Sequence, residues 1–449
     1  MHHGPPPTPG PEAPAFLPGE MPADGLPEAW SNPDILLTGG GLSGLTLALE
    51  LARRPFFKDR RILLLDRDEK EKNDRTWCFW ATEEEPLPPV TFRTWEHCRF
   101  YGEHLAKTLQ IAPYRYHMVR GLDFYRWAKQ ELTRYPNVHR LTTNIRHLDA
   151  ATGRVRTDHG DFTGGMIFNS AFTRHALLPT ASTLYPQPSF TPAPAEEREG
   201  GIPVSPYVYL LQHFQGWMIE TPAPAFEVQA MTFMDYRLEQ QGETRFVYVL
   251  PFSETRALVE FTVFSPSLCP AEEYDQELNK YIRHQLKIAD FKVVEREFGV
   301  IPMTDRPFPT TEGRLTHIGT AGGFVKASSG YAFLRTQRRL RAFVDAWERS
   351  GTPDPTLLRS AWRYRFFDSV MLRVLHDRTV SGKDFFTGLF RQLPAPLVFR
   401  FLDEDANFFE TLRLLSAPPT LPFTRAAWKQ IPLFFKLFVA QISRFYGQH

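Results

Sequence analysis

The sequence predicts an α/β protein. A Rossmann-type nucleotide-binding domain is interleaved with an antiparallel sheet, and a helical C-terminal region follows. Three observations carry this. An apolar run enters a glycine cluster, Gly39-x-Gly41-x-x-Gly44, and a Leu/Ala-rich segment leaves it. A segment rich in β-branched and aromatic residues occupies mid-chain, from about 200 to 265. Beyond 341 the pattern turns helical to the end at 449.

The elements follow in order. Residues 1–31 are rich in Pro and poor in β-branched side chains. They cannot bury enough apolar surface to offset the entropy of ordering, so they are expected to be disordered. They lack the basic start and apolar core of a signal peptide. The first domain is expected over 32–340. Within it, "DILLT" and "RILLLD" (61–66) are continuous apolar runs, as in parallel strands buried on both faces. The stretch between them suits a crossover helix. A helix is expected over 121–135, and 138–171 alternates like a short-stranded sheet. The Pro-rich run 179–206 reads as a linker or lid. Strand patterns such as "YVYLLQHFQGWMIET" and "RALVEFTVFS" fill 207–264, and a helix begins near 272. A second glycine cluster occupies 319–330, ahead of the helical region 341–449.

Composition narrows the function. A formal net charge of +1 gives no reason to expect nucleic acid as a partner. Cys78, Cys98 and Cys269 form no C-x-x-C pair, which excludes a zinc ribbon or dithiol motif and suits a reducing, cytoplasmic setting. No ligand spacing stands out among 14 His, so no metal site is expected. No apolar run is long enough to span a bilayer. The 38 Phe nevertheless crowd late, in 384–402 and 426–446. That pattern fits a helical core or an apolar surface that meets a membrane.

The first glycine cluster has a mechanical reading. Gly39 permits the tight turn, Gly41 lets a pyrophosphate approach the backbone, and Gly44 allows close helix–strand packing. With Leu42 and Ser43 it opens a helix whose free N–H groups suit phosphate. Asp66, 22 positions after Gly44, ends the second strand where a carboxylate can bind a ribose hydroxyl. This motif alone fits NAD or FAD. The second cluster, "HIGTAGGFVKASSGYAF" (317–333), is a second strand–glycine–helix element, and its combination with the first favours FAD. Gly319, Thr320, Gly322 and Gly323 are the expected contacts, with Gly319-Thr320 standing where flavoproteins usually carry Gly-Asp.

"GGGLSGL", "NDRTWCFW" (73–80), "GWMIET" (216–221), "FMDYR" (233–237), "ALVEFTVFS" (257–265) and "IGTAGGFVKASSGYAF" (318–333) occur in order, followed by "FLDEDA" at 401–406. Together they resemble bacterial FAD-dependent lycopene beta-cyclases. The resemblance implies a flavoprotein hydroxylase-like fold with an FAD-binding domain and a substrate-binding sheet. It implies cyclisation of the linear ends of lycopene to beta-ionone rings, through gamma-carotene to beta-carotene. The FAD is implied to act reduced, with NAD(P)H as reductant and no net redox change. A peripheral association with the membrane follows, because the substrate is confined to lipid.

Such a reaction needs a proton donor in a dry, apolar site that also steadies a cation. Strand alternation puts Glu260 on the face of Leu258, Thr262 and Phe264. If that face meets an apolar tunnel, burial raises its pKa and keeps the proton in place. Glu260 also matches the acid of the family's F-x-E-x-T-like motif, although its neighbours Val259 and Phe261 differ from some relatives. Asp235 is the second catalytic candidate, orienting Glu260 or pairing with Arg237. Glu220 ranks third, for its apolar setting. Asp403, Glu404 and Asp405 read as a helix cap or solvated turn. Trp77, Phe79 and Trp80 suit the core or the wall of a substrate path. In 426–446, Lys436 and Arg444 among large apolar residues suit an in-plane membrane helix. The rival reading is a monooxygenase or polyprenyl reductase on the same fold. It lacks the mid-chain Asp-Gly of hydroxylases, since the sequence's only Asp-Gly is Asp24-Gly25.

Overall fold

The computed structural model describes residues 30–171 and 207–446, with side chains through Phe435. The disorder expected at the N-terminus and the linker or lid expected at 179–206 lie outside the described residues, apart from Trp30 and Ser31. So do the side chains of Lys436 and Arg444.

The first half runs β1 (Ile35–Thr38), α1 (Leu42–Ala52), β2 (Ile62–Asp66), β3 (Thr76–Ala81), β4 (Arg93–Trp95), β5 (His97–Gly102), β6 (Leu105–Gln110), β7 (Arg115–Arg120), α2 (Gly121–Leu132), β8 (Val138–Thr142), β9 (Ile145–Asp149), β10 (Arg154–Thr157), β11 (Gly160–Thr163) and β12 (Met166–Asn169). The second continues with β13 (Tyr209–Glu220), β14 (Ala230–Asp235), β15 (Thr244–Ser253), β16 (Arg256–Ser265), α3 (Ala271–His284), β17 (Lys292–Thr304), β18 (Thr311–Glu312), β19 (Leu315–His317) and α4 (Phe333–Ser350). Then come α5 (Trp362–His376), α6 (Gly382–Gln392), α7 (Ala395–Leu402), α8 (Phe408–Leu415) and α9 (Thr420–Tyr446).

Two large sheets organise these elements. The first has the order β18-β19-β12-β1-β2-β8, parallel except at its short β18 edge. Every residue of β1 is buried, which is why its sequence is apolar without alternation. Helix α1 is buried almost all round, between the sheet, α2 and α4. The helix expected over 121–135 ends at Leu132.

The second sheet has the order β17-β13-β16-β15-β14-β5-β6. It reaches beyond the predicted 200–265 on both sides. Its edges come from residues 97–110 and 292–304, pairings that no local pattern announces. In β16 the odd positions Val259, Phe261 and Val263 pack with Tyr274, Leu278 and Tyr281 of α3. The even positions Leu258 and Phe264 join a core with Phe386, Phe390 and Phe399 of the C-terminal helices. One sheet thus separates two interiors.

Two boundaries need correction. The strands expected in 138–171 do not form one sheet: β8 and β12 join the parallel sheet, and β9, β10 and β11 form a small sheet of their own. The border at 340 cuts through α4. Phe343, Val344 and Trp347 of α4 pack into the nucleotide-domain core with Phe57 and Phe168, so α4 belongs to that domain.

Candidate active site

The first glycine turn is shaped by contact and by one opening. Gly39 has φ +98, and a Cβ there would stand 2.5 Å from Ser170 Oγ. A Cβ on Gly44 would lie 1.9 Å from the Gly39 carbonyl oxygen. Gly41 differs: nothing lies within 4 Å of a Cβ built on it. It is the N-cap of α1 and supplies no side-chain cap, so the first amides of Leu42 and Ser43's turn face an open cradle. Asp66 braces this turn, accepting from the Gly40 amide at 2.6 Å and the Asp68 amide at 3.1 Å.

The second turn lies against the first. Gly319, at φ +64, leaves no room for a side chain, since a Cβ would meet Ser43 Oγ at 2.8 Å. Thr320, Gly322 and Gly323 continue it through Gly323 N to Thr320 O (3.2 Å) and Phe324 N to Gly319 O (2.9 Å). A buried polar row fixes the spacing beneath both turns. Thr38 Oγ1 donates to Asn169 Oδ1 at 2.8 Å, and Asn169 Nδ2 meets His317 Nδ1 at 3.2 Å. All the sequence-predicted cofactor residues therefore stand around one cradle. Its open face at Gly41 and its uncapped helix start fit the pyrophosphate of a dinucleotide.

The acid candidates fare differently. Glu260 lies in β16 opposite Gly216 of β13 and Tyr248 of β15. Gly216 is in turn opposite Glu297 of β17. Four residues, Tyr248, Glu260, Gly216 and Glu297, thus form one row across the sheet. Thr262 Oγ1 donates to Glu260 Oε1 at 3.2 Å, and Thr76 Oγ1 donates to Glu297 Oε2 at 2.9 Å. Both residues are half-buried. Burial pushes the Glu260 carboxyl well above the usual range, and the neighbouring Glu297 charge adds to it. Burial raises Glu297 as well.

The row that holds Glu260 touches two cavities, one through Tyr248 and the other through Gly216 and Glu297. The larger, about 1340 Å³, runs from Tyr248, Tyr331 and Phe233 to Phe423 and Ala427 of α9 and is almost wholly apolar. The smaller, about 610 Å³, is lined by Gly216 and Glu297 and by the cations Arg120 and Arg256. Phenols ring the apolar side. Tyr116 and Tyr331 are hydrogen-bonded at 3.2 Å, and burial raises both, with Tyr248, so they remain neutral donors. Trp80 stacks on Phe399 at 4.4 Å and meets Tyr331 edge-on at 4.6 Å. Phe79 stacks on Phe333 instead, and Trp77 packs with Phe124 on the nucleotide-domain side.

Two expectations are corrected, for Glu220 and for the 403–405 cluster. Asp235 takes the second of its two expected roles, pairing with Arg237 rather than orienting Glu260. It pairs across the sheet with Val247, on the face covered by α3, and is held by Arg237 (2.6 Å) and Tyr281 (2.6 Å). Glu220 ends β13 at the surface, 3.6 Å from Arg256, rather than in an apolar setting. In the 403–405 cluster Asp403 is the C-cap of α7 and Asp405 is exposed, but Glu404 and the Asp403 carboxyl are drawn inward. Glu404 sits among Arg335 (2.6 Å), Arg339 (3.3 Å) and Lys326 (3.7 Å), and burial pushes Asp403 up to about 7. Glu297, Tyr248 and Tyr331 were not singled out in the sequence. The signal for Glu297 lies only in strand register, because Gly216 of β13 pairs with Glu260 on one side and with Glu297 on the other. No cluster of His, Cys, Asp and Glu suited to a metal occurs among the described residues.

The fold is of the α/β flavoprotein oxidoreductase and hydroxylase type. Solved structures share this architecture. A geranylgeranyl bacteriochlorophyll reductase-like protein from Thermoplasma acidophilum aligns with a TM-score of 0.58 at 12% identity, over 89% of this chain and 99% of that one. A flavoprotein/dehydrogenase from Cytophaga hutchinsonii aligns with a TM-score of 0.53 at 11% identity, over 89% and 99%. The family model for lycopene cyclase proteins matches residues 34–428, and the chain belongs to that family. It is 26% identical to a lycopene beta-cyclase of Paracoccus sp., over 88% of this chain and 96% of that protein. It is 21% identical to one of Pseudescherichia vulneris over the same shares.

Proposed function

We propose that this protein cyclises the linear ends of lycopene to beta-ionone rings, with Glu260 as the proton donor. One observation carries the reading: Glu260, raised by burial, is the cross-strand neighbour of Tyr248, which lines a long cavity walled almost only by apolar and aromatic side chains. Glu260 gives its proton to the terminal alkene, and a C–H bond and a tertiary cation form. The neighbouring double bond attacks the cation and closes the ring. The ring cation then loses a proton from an adjacent carbon, and the new double bond appears. Substrate and product are isomers, so no electrons enter or leave. Tyr248 and Tyr331, which line the cavity, can steady positive charge.

The cradle of Gly39, Gly41, Leu42, Ser43, Gly44 and Asp66, closed by Gly319, Thr320, Gly322 and Gly323, would hold FAD. Bound and reduced, with NAD(P)H as the source of electrons, FAD would supply an electron-rich ring system. The lipid-confined substrate would enter from a membrane surface. No described helix is long and apolar enough to cross a membrane. The lining of the apolar cavity instead includes an exposed side chain, Leu415.

The test is expression in lycopene-making cells with pigment chromatography and mass measurement. We expect ring-bearing products of unchanged mass. Glu260→Gln should lower ring formation by about 100- to 10,000-fold, the usual contribution of a general acid, with FAD content retained. Products heavier by one oxygen or two hydrogens would replace this reading with the monooxygenase or reductase one.

A further inference from the structure

The reading above uses one carboxyl group, but the sheet supplies two. Glu260 and Glu297 flank Gly216 in one cross-strand row. A Cβ at 216 would come within 2.9 Å of Glu297 Cγ and 3.0 Å of Glu297 Oε1, so glycine leaves the gap in which the acids meet. Thr76 occupies Glu297 Oε2. Glu297 Oε1 is buried and receives no donor fixed by the fold. Across the gap the Glu297 charge raises Glu260, and two such carboxyls can meet only with a proton between them, because an ionised carboxylate only accepts.

We propose that Glu297 is the second half of the acid: a single proton is held between the two carboxyls, and Glu297 keeps it on Glu260 until the alkene takes it. The proposal rests on the cyclisation reading and deepens it. When Glu260 protonates the less substituted carbon of the terminal alkene, the tertiary cation faces two adjacent anions. Their charge steadies it. Their mutual repulsion also makes Glu260 a stronger base, so it recovers a proton from the ring carbon as the double bond forms. One C–H bond is made and one broken, and the pair ends as it began, with one proton and no co-reactant. Glu297 touches the acid rather than the substrate, so it is a positioning residue.

Other groups face the pair. Cys78 comes from β3 and Glu295 from β17, and Tyr248 approaches from β15. Arg120 of β7 and Arg256 of β16 line the polar cavity. Like charge from Glu297 raises Glu260, so removing it lowers Glu260. Ring formation needs protonated Glu260 and is lost as pH rises through its pKa. In Glu297→Gln that alkaline limb should therefore move to lower pH.

The experiment measures ring formation by the full chain, loaded with reduced FAD, on lycopene in lipid vesicles across pH. Glu297→Gln should shift the alkaline limb down by about one unit or more, on the scale of close carboxyl pairs. Glu297→Asp, which keeps the charge, should restore the limb toward wild type. If Glu297→Gln proves insoluble, Gly216→Ala tests the same contact by parting the two acids, and the same downward shift is expected. A wild-type limb in a folded Glu297→Gln or Gly216→Ala overturns the pairing alone. Ring formation surviving in Glu260→Gln overturns the acid assignment and the pairing with it.

Discussion

At the scale of single residues, glycines and acids mark what a sequence discloses and what it hides. Gly41 and Gly44 look alike in the motif, but the space around them differs. A side chain at Gly44 would strike the Gly39 carbonyl at 1.9 Å, whereas one at Gly41 would enter open space. Gly44→Val should therefore fail to fold. Gly41→Val should fold with near wild-type thermal stability and lose FAD, read from the absorbance of the purified protein. Retention of FAD by Gly41→Val would remove the pyrophosphate from that cradle. Glu260 was legible because alternation in "RALVEFTVFS" assigns its face directly. Glu297 was not, since its strand carries Glu295, Arg296 and Glu297 in succession, and the one that turns inward depends on pairing with β13. Glu260 also has a stability cost. Its carboxyl is held protonated in the folded chain, while the unfolded chain releases the proton near the ordinary value of 4.5. Stability is thus lost as pH rises from that value toward the folded pKa. Glu260→Gln should melt higher than wild type at alkaline pH and no higher in acid, as differential scanning calorimetry would register.

At the scale of elements, local periodicity located most strands and helices, but partners distant in sequence decided their roles. The run "EREFGVIPMT" carries too much charge to read as buried, and β17 is indeed an edge strand, exposed along much of its length. α4 reads as the start of a helical tail, but Phe343 and Trp347 return it to the nucleotide domain. The acidic stretch after α7 resembles a solvated turn because its cations lie about 65 to 78 positions earlier in the chain. Glu404 and Asp368 meet Lys326, whose ammonium is 1% exposed and bonds Asp368 at 2.5 Å. Ser328 also donates to Asp368 at 2.7 Å. This buried network joins α5 and the segment after α7 to the loop that leads from the second glycine turn into α4. Breaking it from one side leaves a buried charge uncompensated, which typically costs about 3–5 kcal/mol. Asp368→Ala should lose stability in that range by denaturant unfolding. Lys326→Met combined with Asp368→Leu should recover much of the loss, because no lone charge remains. An Asp368→Ala chain as stable as wild type would show that Glu404 alone neutralises Lys326.

At the scale of the whole molecule, the two sheets and the C-terminal helices enclose a route from the acid row to the surface. The apolar cavity begins at Tyr248 and Tyr331, and it ends between α8 and α9 at Leu415, Pro418, Thr420 and Phe423. Around that end the helices expose large apolar groups. On α9, Leu421, Trp428, Ile431 and Phe435 recur at helical spacing, while Ala426 and Phe423 pack inward. On α8, Phe408, Leu412 and Leu415 do the same, and Phe409 is 79% exposed. The late crowding of Phe in the sequence foretold an apolar region but could not divide it into core and surface. The structure divides it: Phe386, Phe390 and Phe399 are buried, and Phe408, Phe409 and Phe435 are not. Exposed apolar patches of this kind mark docking sites, and a lipid surface is the source of the substrate proposed here. Each exposed aromatic group contributes by leaving water, roughly 1.5–3 kcal/mol when fully buried. Phe409→Ser combined with Trp428→Ser should therefore reduce co-sedimentation with lipid vesicles at least tenfold. FAD content should hold, because neither residue lies near the glycine cradle. Ring formation on lycopene in vesicles should fall in step with binding, while lycopene presented in detergent should be converted as by wild type. Vesicle binding undiminished in the double variant would assign these side chains to another partner and place the membrane contact elsewhere on the molecule.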